Sequence, residues 1–256
     1  MTKVSINLIT YNRANYLKVA IESVLAQTFL DWELIVVDDC STDTTVDLIK
    51  AYSANDRRIK YFKNSINFGI GKSRNLALEF STGKYIAVLD SDDYWADNDK
   101  LQKQLNLLDS GEYILVGGGC QIIDELGNKK NKYLNPQTDE QIRNIFLIKN
   151  PFVNSGVVFL KNAAIKSGGY DESLRVGEDY DLFLKLGCIG KMFNVPTVFV
   201  NYRKHEQNVS RIKVVSALED NITIIRRYKN DYPNYFIAIF RRLFRLFLVK
   251  LFFRKK

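Results

Sequence analysis

The stretch Tyr85-Ile86-Ala87-Val88-Leu89-Asp90-Ser91-Asp92-Asp93 constrains this chain most. A short, nearly continuous apolar run reads as a strand buried on both faces. It ends on three carboxylates within four positions. Like charges this close repel, and burying them unpaired costs several kcal/mol. The cluster therefore fits a solvated acidic turn or a place where a divalent cation balances the charge. Hard oxygen ligands at this spacing suit Mg²⁺ or Mn²⁺, which typically keep phosphate oxygens among their other ligands. In open α/β sheets, ligands lie just beyond the carboxyl ends of strands, where this cluster falls.

The chain around it alternates. Residues 4–10 read as a strand, and Leu17, Ala20, Ile21, Val24 and Leu25 follow the spacing of an amphipathic helix. Residues 33–37 form a second strand ending on Asp38-Asp39, and Ser41 and Asp43 offer caps for a helix over 44–52. A short strand at 59–62, a helix at 69–80 and the strand at 85–89 complete a rhythm that implies parallel strands with right-handed crossovers. After residue 93 the pattern changes. Helices are expected at 100–108, 139–149, 163–166 and 180–186, and strands from 113, at 157–160 and at 195–200. Gly117-Gly118-Gly119 suggests a kink or a close approach to a ligand, and 124–128 a hairpin turn. This half is expected to be mixed in strand direction.

Composition bounds the class. With 256 residues, 46% of them hydrophobic, the chain can bury one substantial core. Three scattered cysteines without a CxxC pair, and a single histidine, argue against a zinc cluster and a disulfide framework and point to a reducing cytosol. No secretory leader is visible before the first strand. The net charge of +8 belongs to one end: ten of the 37 bases but one of the 29 acids lie in 226–256, so 1–225 carry 27 bases against 28 acids. A whole-protein footprint for nucleic acid is therefore not supported.

Strand-end groups gather on one edge: Thr10-Tyr11-Asn12-Arg13, Asp38-Asp39, and Asp90, Asp92 and Asp93, with Asn67-Phe68-Gly69 and Arg74-Asn75 nearby. A carboxylate can accept a base N–H, a tyrosine can stack on a base, and an arginine can grip a phosphate bidentately, which makes a nucleotide pocket. These segments, with Val36-Val37-Asp38-Asp39-Cys40-Ser41-Thr42-Asp43 and Gly177-Glu178-Asp179-Tyr180-Asp181-Leu182, resemble family 2 of the glycosyltransferases in order and spacing over about residues 3–205. The resemblance implies an α/β fold of the GT-A type, a Rossmann-like mixed sheet flanked by helices. It implies that Thr10, Tyr11, Arg13, Asp39 and Arg74 line the nucleotide site, with Asp39 on the base. It implies that Asp90 faces ribose or sugar and that Asp92, helped by Asp93, holds Mn²⁺ or Mg²⁺ on the diphosphate. Asp38 is kept as a second nucleotide candidate, although it could simply cap the following turn. Cys40 stands where the family often has glycine and reads as a small buried residue. Lys72 reads as a solvated helix face.

An inverting transfer needs a carboxylate to deprotonate the acceptor hydroxyl. Glu178-Asp179 could merely favour a helix N-terminus. The family's base is the aspartate of this pair, so the resemblance points to Asp179, with Glu178 beside the acceptor and Asp181 on the helix face or in solvent. Similar enzymes often place a histidine near the metal, which nominates His205 as a third metal ligand beside Asp92 and Asp93. The turn at 154–156 is expected to border the acceptor pocket, and Trp95 to shape the sugar site or pack in the core.

The tail is the other informative stretch. Its apolar runs are too short for a membrane span of about 20 residues. Phe240, Leu243, Phe244, Phe247, Leu248 and Leu251 form one helical face, and Arg241 and Arg245 lie on another. This reads as an interfacial amphipathic helix drawn to anionic lipids, with packing on the body or in a homodimer as the alternative. A helix at 212–228 would link it to the body.

The expected organisation is therefore a catalytic domain at 1–205, with a nucleotide half at 1–95 and an acceptor half at 96–205, and a membrane-associating tail at 206–256. The expected activity is transfer of a hexosyl-type sugar from a nucleotide-sugar, a UDP-sugar first, to a lipid-linked saccharide of a bacterial surface polysaccharide. The expected setting is the cytoplasmic face of the plasma membrane. The alternatives are a sugar nucleotidyltransferase, which would want a basic glycine-rich loop near the first strand, and a non-catalytic membrane-surface adaptor.

Overall fold

Four parallel strands carry the first half of the chain. In this computed structural model, which describes residues 2–206 and 214–253, β1 (Val4–Thr10) lies between β2 (Trp32–Asp38) and β4 (Tyr85–Asp90), with β3 (Ile59–Lys63) outside β2. Helices α1 (Ala14–Leu25), α2 (Thr45–Asn55) and α3 (Ile70–Phe80) make the crossovers. Register sets Thr10 opposite Asp38 and Ile9 opposite Asp90, so the ends of three strands stand side by side.

The second half continues the same sheet in mixed directions. β8 (Val158–Leu160) runs antiparallel to β4, β6 (Tyr113–Ile123) antiparallel to β8, and β9 (Lys191–Arg203) parallel to β6. β5 (Tyr94–Trp95), a two-residue strand that the sequence pattern does not announce, closes on β9. β7 (Lys129–Tyr133) completes a hairpin on β6. The remaining elements are α4 (Lys100–Asp109), α5 (Asp139–Phe146), a 3₁₀ turn at Asn154–Gly156, α6 (Lys161–Lys166), α7 (Glu178–Ile189), α8 (Val214–Arg227) and α9 (Tyr235–Phe253). Residues 212 and 213 of the expected linking helix lie outside the described residues.

The run at 85–90 is buried on both faces, as its composition predicts. Tyr85, Ala87 and Leu89 enter a core with Leu17, Ile21, Leu34 and Leu105, while Ile86 and Val88 enter another with Phe146, Phe159, Phe183 and Ile224. The glycines at 117–119 do not end β6. A β-carbon at Gly117 would meet Asn194 Oδ1 at 2.2 Å, and one at Gly118 would meet Phe199 Cδ2 at 2.3 Å. The close approach is therefore made by β9's own side chains, and the β6–β9 register shifts around Gly119. Asp43 accepts from the backbone N–H of Thr45 at the start of α2, but Ser41 accepts instead from that of Asn12.

Helix α9 uses two faces. Ala238 is buried, Tyr235 and Ile239 pack on the Phe146 core, and the Arg242 guanidinium donates to the Leu147 carbonyl. The opposite face leaves Phe236 83% and Phe240 69% exposed, with Phe244, Phe247 and Leu251 also exposed. Packing on the body is thus realised, and it leaves most of the expected apolar face uncovered within this chain. Among the described residues, no helix is long and apolar enough to cross a membrane. Arg254, Lys255 and Lys256 lie outside the described residues.

At the opposite end of the sheet from the strand-end acids, Glu33 is only 2% exposed. Burial alone would raise its pKa. Hydrogen bonds from Lys60, Ser5 and Thr82 outweigh that and hold it at about 2, against 4.5 for a free side chain. A depressed carboxyl stabilises the fold above its unfolded pKa and loses that contribution as pH falls from about 4.5 through about 2. Glu33→Gln is expected to cost about 2 kcal/mol at pH 7 in denaturant unfolding, and to flatten the pH dependence of stability in that acid window.

Candidate active site

A cavity of about 570 Å³ opens at the carboxyl edge of the parallel strands. It is lined by Thr10, Tyr11 and Arg13 after β1, Asp39 after β2, Arg74 on α3, Asp90 and Asp92 at the end of β4, and Glu178 and Asp179 at the start of α7. Nine of the residues expected at the site therefore meet around one space. The sheet explains this for the first-half residues: parallel strands in register deliver their C-terminal groups to one edge.

The three carboxylates of the acidic cluster have different surroundings. Asp90 receives Arg74 Nη2 at 2.9 Å and Asn154 Nδ2 at 2.9 and 3.0 Å. Asp93 turns away from the cavity, accepting from Ser155 Oγ at 2.6 Å and from the Arg203 backbone N–H at 2.9 Å. Burial, and then the charges of Asp92 and Asp90, push its pKa well up. Asp93, expected as a metal ligand, thus does not line the cavity, and both its oxygens hold the turn. Asp92 faces the cavity, and its Oδ2 lies 2.9 Å from His205 Nε2. The ring of Tyr16 backs His205 at a centroid distance of 5.4 Å.

A divalent ion fits this corner in part. Asp92 faces the open space, while His205 is buried behind it and does not line the cavity; together they combine a hard oxygen and an imidazole, a donor set suited to Mn²⁺ or Mg²⁺ when phosphate oxygens and water complete the shell. Among the described residues, no group of three or more His, Cys, Asp or Glu side chains converges to hold an ion alone.

Asp38 and Asp39 divide in the same way. Asp38 is fully buried, accepting from the Ser41 N–H at 2.8 Å and the Tyr61 hydroxyl at 3.0 Å. Although nominated as a second nucleotide contact, it holds the turn instead and does not line the cavity. Asp39 does line it. Its Oδ1 accepts from Asn64 and from the Phe68 N–H, both at 2.8 Å, and its Oδ2 from the Gly69 N–H at 2.9 Å, which leaves a lone pair of Oδ2 for a ligand. Cys40 adopts φ +71°, a left-handed conformation that glycine enters most readily, and it is half-buried. Thr10 Oγ1 is buried at the cavity wall without a hydrogen-bond partner among the described residues. Tyr11 is exposed beside it.

Arg74 is buried among acids. Its guanidinium lies 2.9 Å from Asp90 and 3.2 Å from Glu178, and 5.6 Å above the Tyr170 ring. Burial would lower its pKa, but Asp90 and Glu178 raise it further, so it stays charged. Asp179, in contrast, has no ion pair within 4 Å among the described residues. Burial and the neighbouring Glu178 push its pKa up to about 7, against the pull of Arg74. Asp179 also borders a second cavity of about 310 Å³, shared with Asn154 and Tyr202 and floored by Cys120, Ile122, Phe152 and Val153.

Some expectations moved. Trp95 packs in the core and donates Nε1 to the Ser155 carbonyl at 2.8 Å, so it supports the turn and not a sugar. Lys72, read as solvated, lines the cavity with Nζ 4.2 Å over the Phe68 ring. Glu172 and Arg175 also line it without having been singled out. No local motif marks them, since they reach the cavity through the path of the 171–177 loop.

Residues 5–170 match the sequence profile of glycosyl transferase family 2. The chain belongs to glycosyl transferase family 2. An uncharacterized glycosyltransferase of Methanocaldococcus jannaschii, MJ1057, is 34% identical over 89% of this chain and 80% of its own length. TuaG of Bacillus subtilis, named for teichuronic acid biosynthesis, is 36% identical over 56% of this chain and 58% of its own. S. aureus TarS 1–349, solved in complex with UDP-GlcNAc, superposes with a TM-score of 0.71 at 22% identity, over 88% of this chain and 65% of that one. The longer TarS chain is covered over 43% of its length. The mannosyltransferase PcManGT of Pyrobaculum calidifontis, in complex with GDP-Man and Mn²⁺, gives 0.69 at 17% identity over 94% and 68%. The family 2 enzyme thus has the GT-A fold, a mixed sheet flanked by helices. Family membership selects glycosyl transfer over nucleotidyl transfer and over a non-catalytic adaptor.

A carboxyl whose pKa is raised binds a proton more readily folded than unfolded. Its contribution to stability is therefore fully present below about pH 4 and falls as pH rises towards about 7. Asp179→Asn is expected to be more stable than the parent at pH 8 by roughly 1–3 kcal/mol, with the gap closing towards pH 4, as read by denaturant unfolding across that range.

Proposed function

We propose that this glycosyltransferase inverts configuration as it moves a sugar from a UDP-sugar, with a divalent cation, to a saccharide hydroxyl. One observation carries this: an otherwise uncompensated Asp179, with a pKa near 7, stands where the strand-end cavity meets a second, apolar-floored one. The donor would occupy the larger space. Asp39 accepts a base N–H, Tyr11 stacks on the base, and Thr10 and Arg13 line the nucleotide path. Asp90, held by Arg74 and Asn154, receives ribose or sugar hydroxyls. Asp92 and His205 would hold a divalent cation, which would supply Lewis-acid neutralisation of the leaving group.

Ionised Asp179 takes the proton of the acceptor hydroxyl as that oxygen attacks the anomeric carbon from the side opposite the diphosphate. The new C–O bond forms while the bond to the diphosphate breaks, and the nucleotide leaves with the electron pair. Glu178 is tied to Arg74, which leaves Asp179 as the carboxylate able to accept. The support for a UDP-sugar is the likeness to TarS, which binds UDP-GlcNAc, and for Mn²⁺ the likeness to PcManGT. Residues 1–95 then hold the donor and 96–205 the acceptor.

A lipid-linked saccharide of a bacterial surface polysaccharide is the acceptor class we favour. It is supported by the relative TuaG and by the uncovered apolar face of α9 beside exposed Arg241 and Arg245. A cytoplasmic enzyme resting on the inner membrane surface, through residues 206–256, would meet such an acceptor. A homodimer through the same face is the competing arrangement.

Thermal melts with UDP, GDP and dTDP, each with and without Mn²⁺, are expected to show the largest rise for UDP with Mn²⁺. Hydrolysis of a UDP-sugar is expected to fall about 10²–10⁴-fold in Asp179→Asn and to lose its rate increase between pH 6 and 8. Asp92→Asn should abolish the Mn²⁺-dependent part of the melting shift; a full shift in that variant contradicts the metal site. For the tail, Phe240→Glu with Phe244→Glu and Phe247→Glu should release the enzyme from vesicles containing anionic lipid without lowering its melting temperature. Retained binding would overturn the membrane reading, and conversion of a dimer to a monomer would select the alternative.

A further inference from the structure

The segment that carries Asp179 is held from outside the sheet, by one face of α8. Asp220, 7% exposed, accepts the backbone N–H groups of Arg175 and Val176 on Oδ2, at 2.9 and 3.1 Å. Its Oδ1 takes the Arg175 guanidinium at 2.7 Å. Two turns on, Arg227 Nη1 donates to Asp171 at 2.6 Å and to the fully buried Asp181 at 3.2 Å. The Tyr228 hydroxyl adds a bond to Asp181 at 3.0 Å. Between these anchors Gly177 turns through φ +90°, and a β-carbon there would lie 3.2 Å from Ile224 Cδ1. Asp220, Ile224 and Arg227 follow i, i+4, i+7 spacing, so they form one stripe of α8. The stripe faces residues 171–181, with Glu178 and Asp179 near the far end.

We infer that this stripe is a positioning element: Asp220 and Arg227 fix the loop at 171–177 and the first turn of α7, and so set where the Asp179 carboxylate sits. The inference rests on Asp179 being the base. The chemistry explains why a separate helix is needed. Glu178, Asp179 and Asp181 crowd one helical turn and repel each other. Arg227 and Lys185, the latter at 2.9 Å, balance Asp181, and Arg74 balances Glu178. The turn can then stay folded while Asp179 alone goes without a cation. The charge-assisted acceptance of two adjacent N–H groups by Asp220 fixes the part of the loop just before α7, while Asn75 of α3 holds its start through Glu172 at 2.8 Å. The family match ends at residue 170, so the device lies beyond the matched region.

The test uses the full chain and four variants: Asp220→Ala, Asp220→Asn, Arg227→Met and Arg227→Lys. Amide exchange is measured at 175, 176, 180 and 181, and hydrolysis of UDP-GlcNAc, UDP-glucose and GDP-mannose is measured with Mn²⁺. Asp220→Ala and Arg227→Met are expected to speed exchange at these amides at least tenfold and to lower kcat at least tenfold, with donor KM within twofold. Asp220→Asn and Arg227→Lys should recover part of kcat. Unchanged exchange overturns the inference, and so does an unchanged kcat. A kcat loss matched by an equal rise in donor KM also overturns it, since that marks general loosening. If Asp220→Ala does not fold, the Arg227 pair decides. An Asp179→Asn variant at the parental rate sinks the base reading instead. An inactive Asp179→Asn beside fully active Asp220→Ala and Arg227→Met sinks only the positioning role.

Discussion

Negative charge concentrated at one sheet edge has to be balanced, and the rest of the molecule is arranged around how that is done. Asp90, Asp92, Asp93, Glu178 and Asp179 gather within reach of one another, and charges so placed cannot all ionise without partners. Arg74 is the central counter-charge, hydrogen-bonded to Asp90 from the first half and ion-paired with Glu178 from the second. A single buried guanidinium thus joins the two halves across the cavity. Its planar fork suits it to bridging two carboxylates in a way a lysine could not reproduce. Among the described residues Asp93 is held by neutral donors alone, and at the cavity Asp92 stands beside His205 on one side and Asp179 without an ion pair on the other.

The mixed half of the sheet exists, in functional terms, to reach back over that edge. β8 pairs antiparallel with β4 and brings the turn at Asn154–Gly156 onto the carboxylates. β9 ends so that the Arg203 backbone caps Asp93, its guanidinium bonds the Asp92 carbonyl at 3.0 Å, and His205 follows beside the Asp92 side chain. Strand pairing sets these approaches to within the pleat of the sheet, which is tighter than loops alone would allow.

The last two helices serve in two directions. α8 faces inward and holds the segment before α7, while α9 packs on the body through Tyr235, Ala238 and Arg242 and turns its phenylalanines outward. An amphipathic helix normally buries its apolar stripe on its own core. Here only Tyr235, Ala238 and Ile239 pack inward, Arg242 points in to donate to the Leu147 carbonyl, and a second apolar row is left uncovered within this chain.

Much of this was legible in the sequence. The parallel strands, the edge at which Thr10, Asp39, Asp90 and Asp92 meet, and the helix opened by Glu178-Asp179 follow from hydrophobic period and from motifs in order. Those signals are local, and parallel strands translate local order directly into shared position. That Asp38 and Asp93 do not face the cavity was not legible, for the opposite reason. Each has a neighbour of the same type one residue away, and a strand end turns adjacent side chains to opposite sides. Which one meets the cavity is decided by hydrogen-bond donors such as Tyr61, Ser155 and Arg203, up to 110 residues distant in sequence. The acidic residue types at the edge were set by the chain itself. Which of them stay available for chemistry was decided only when the fold assigned the others their partners, because a carboxylate's availability depends on what else has already bonded to it.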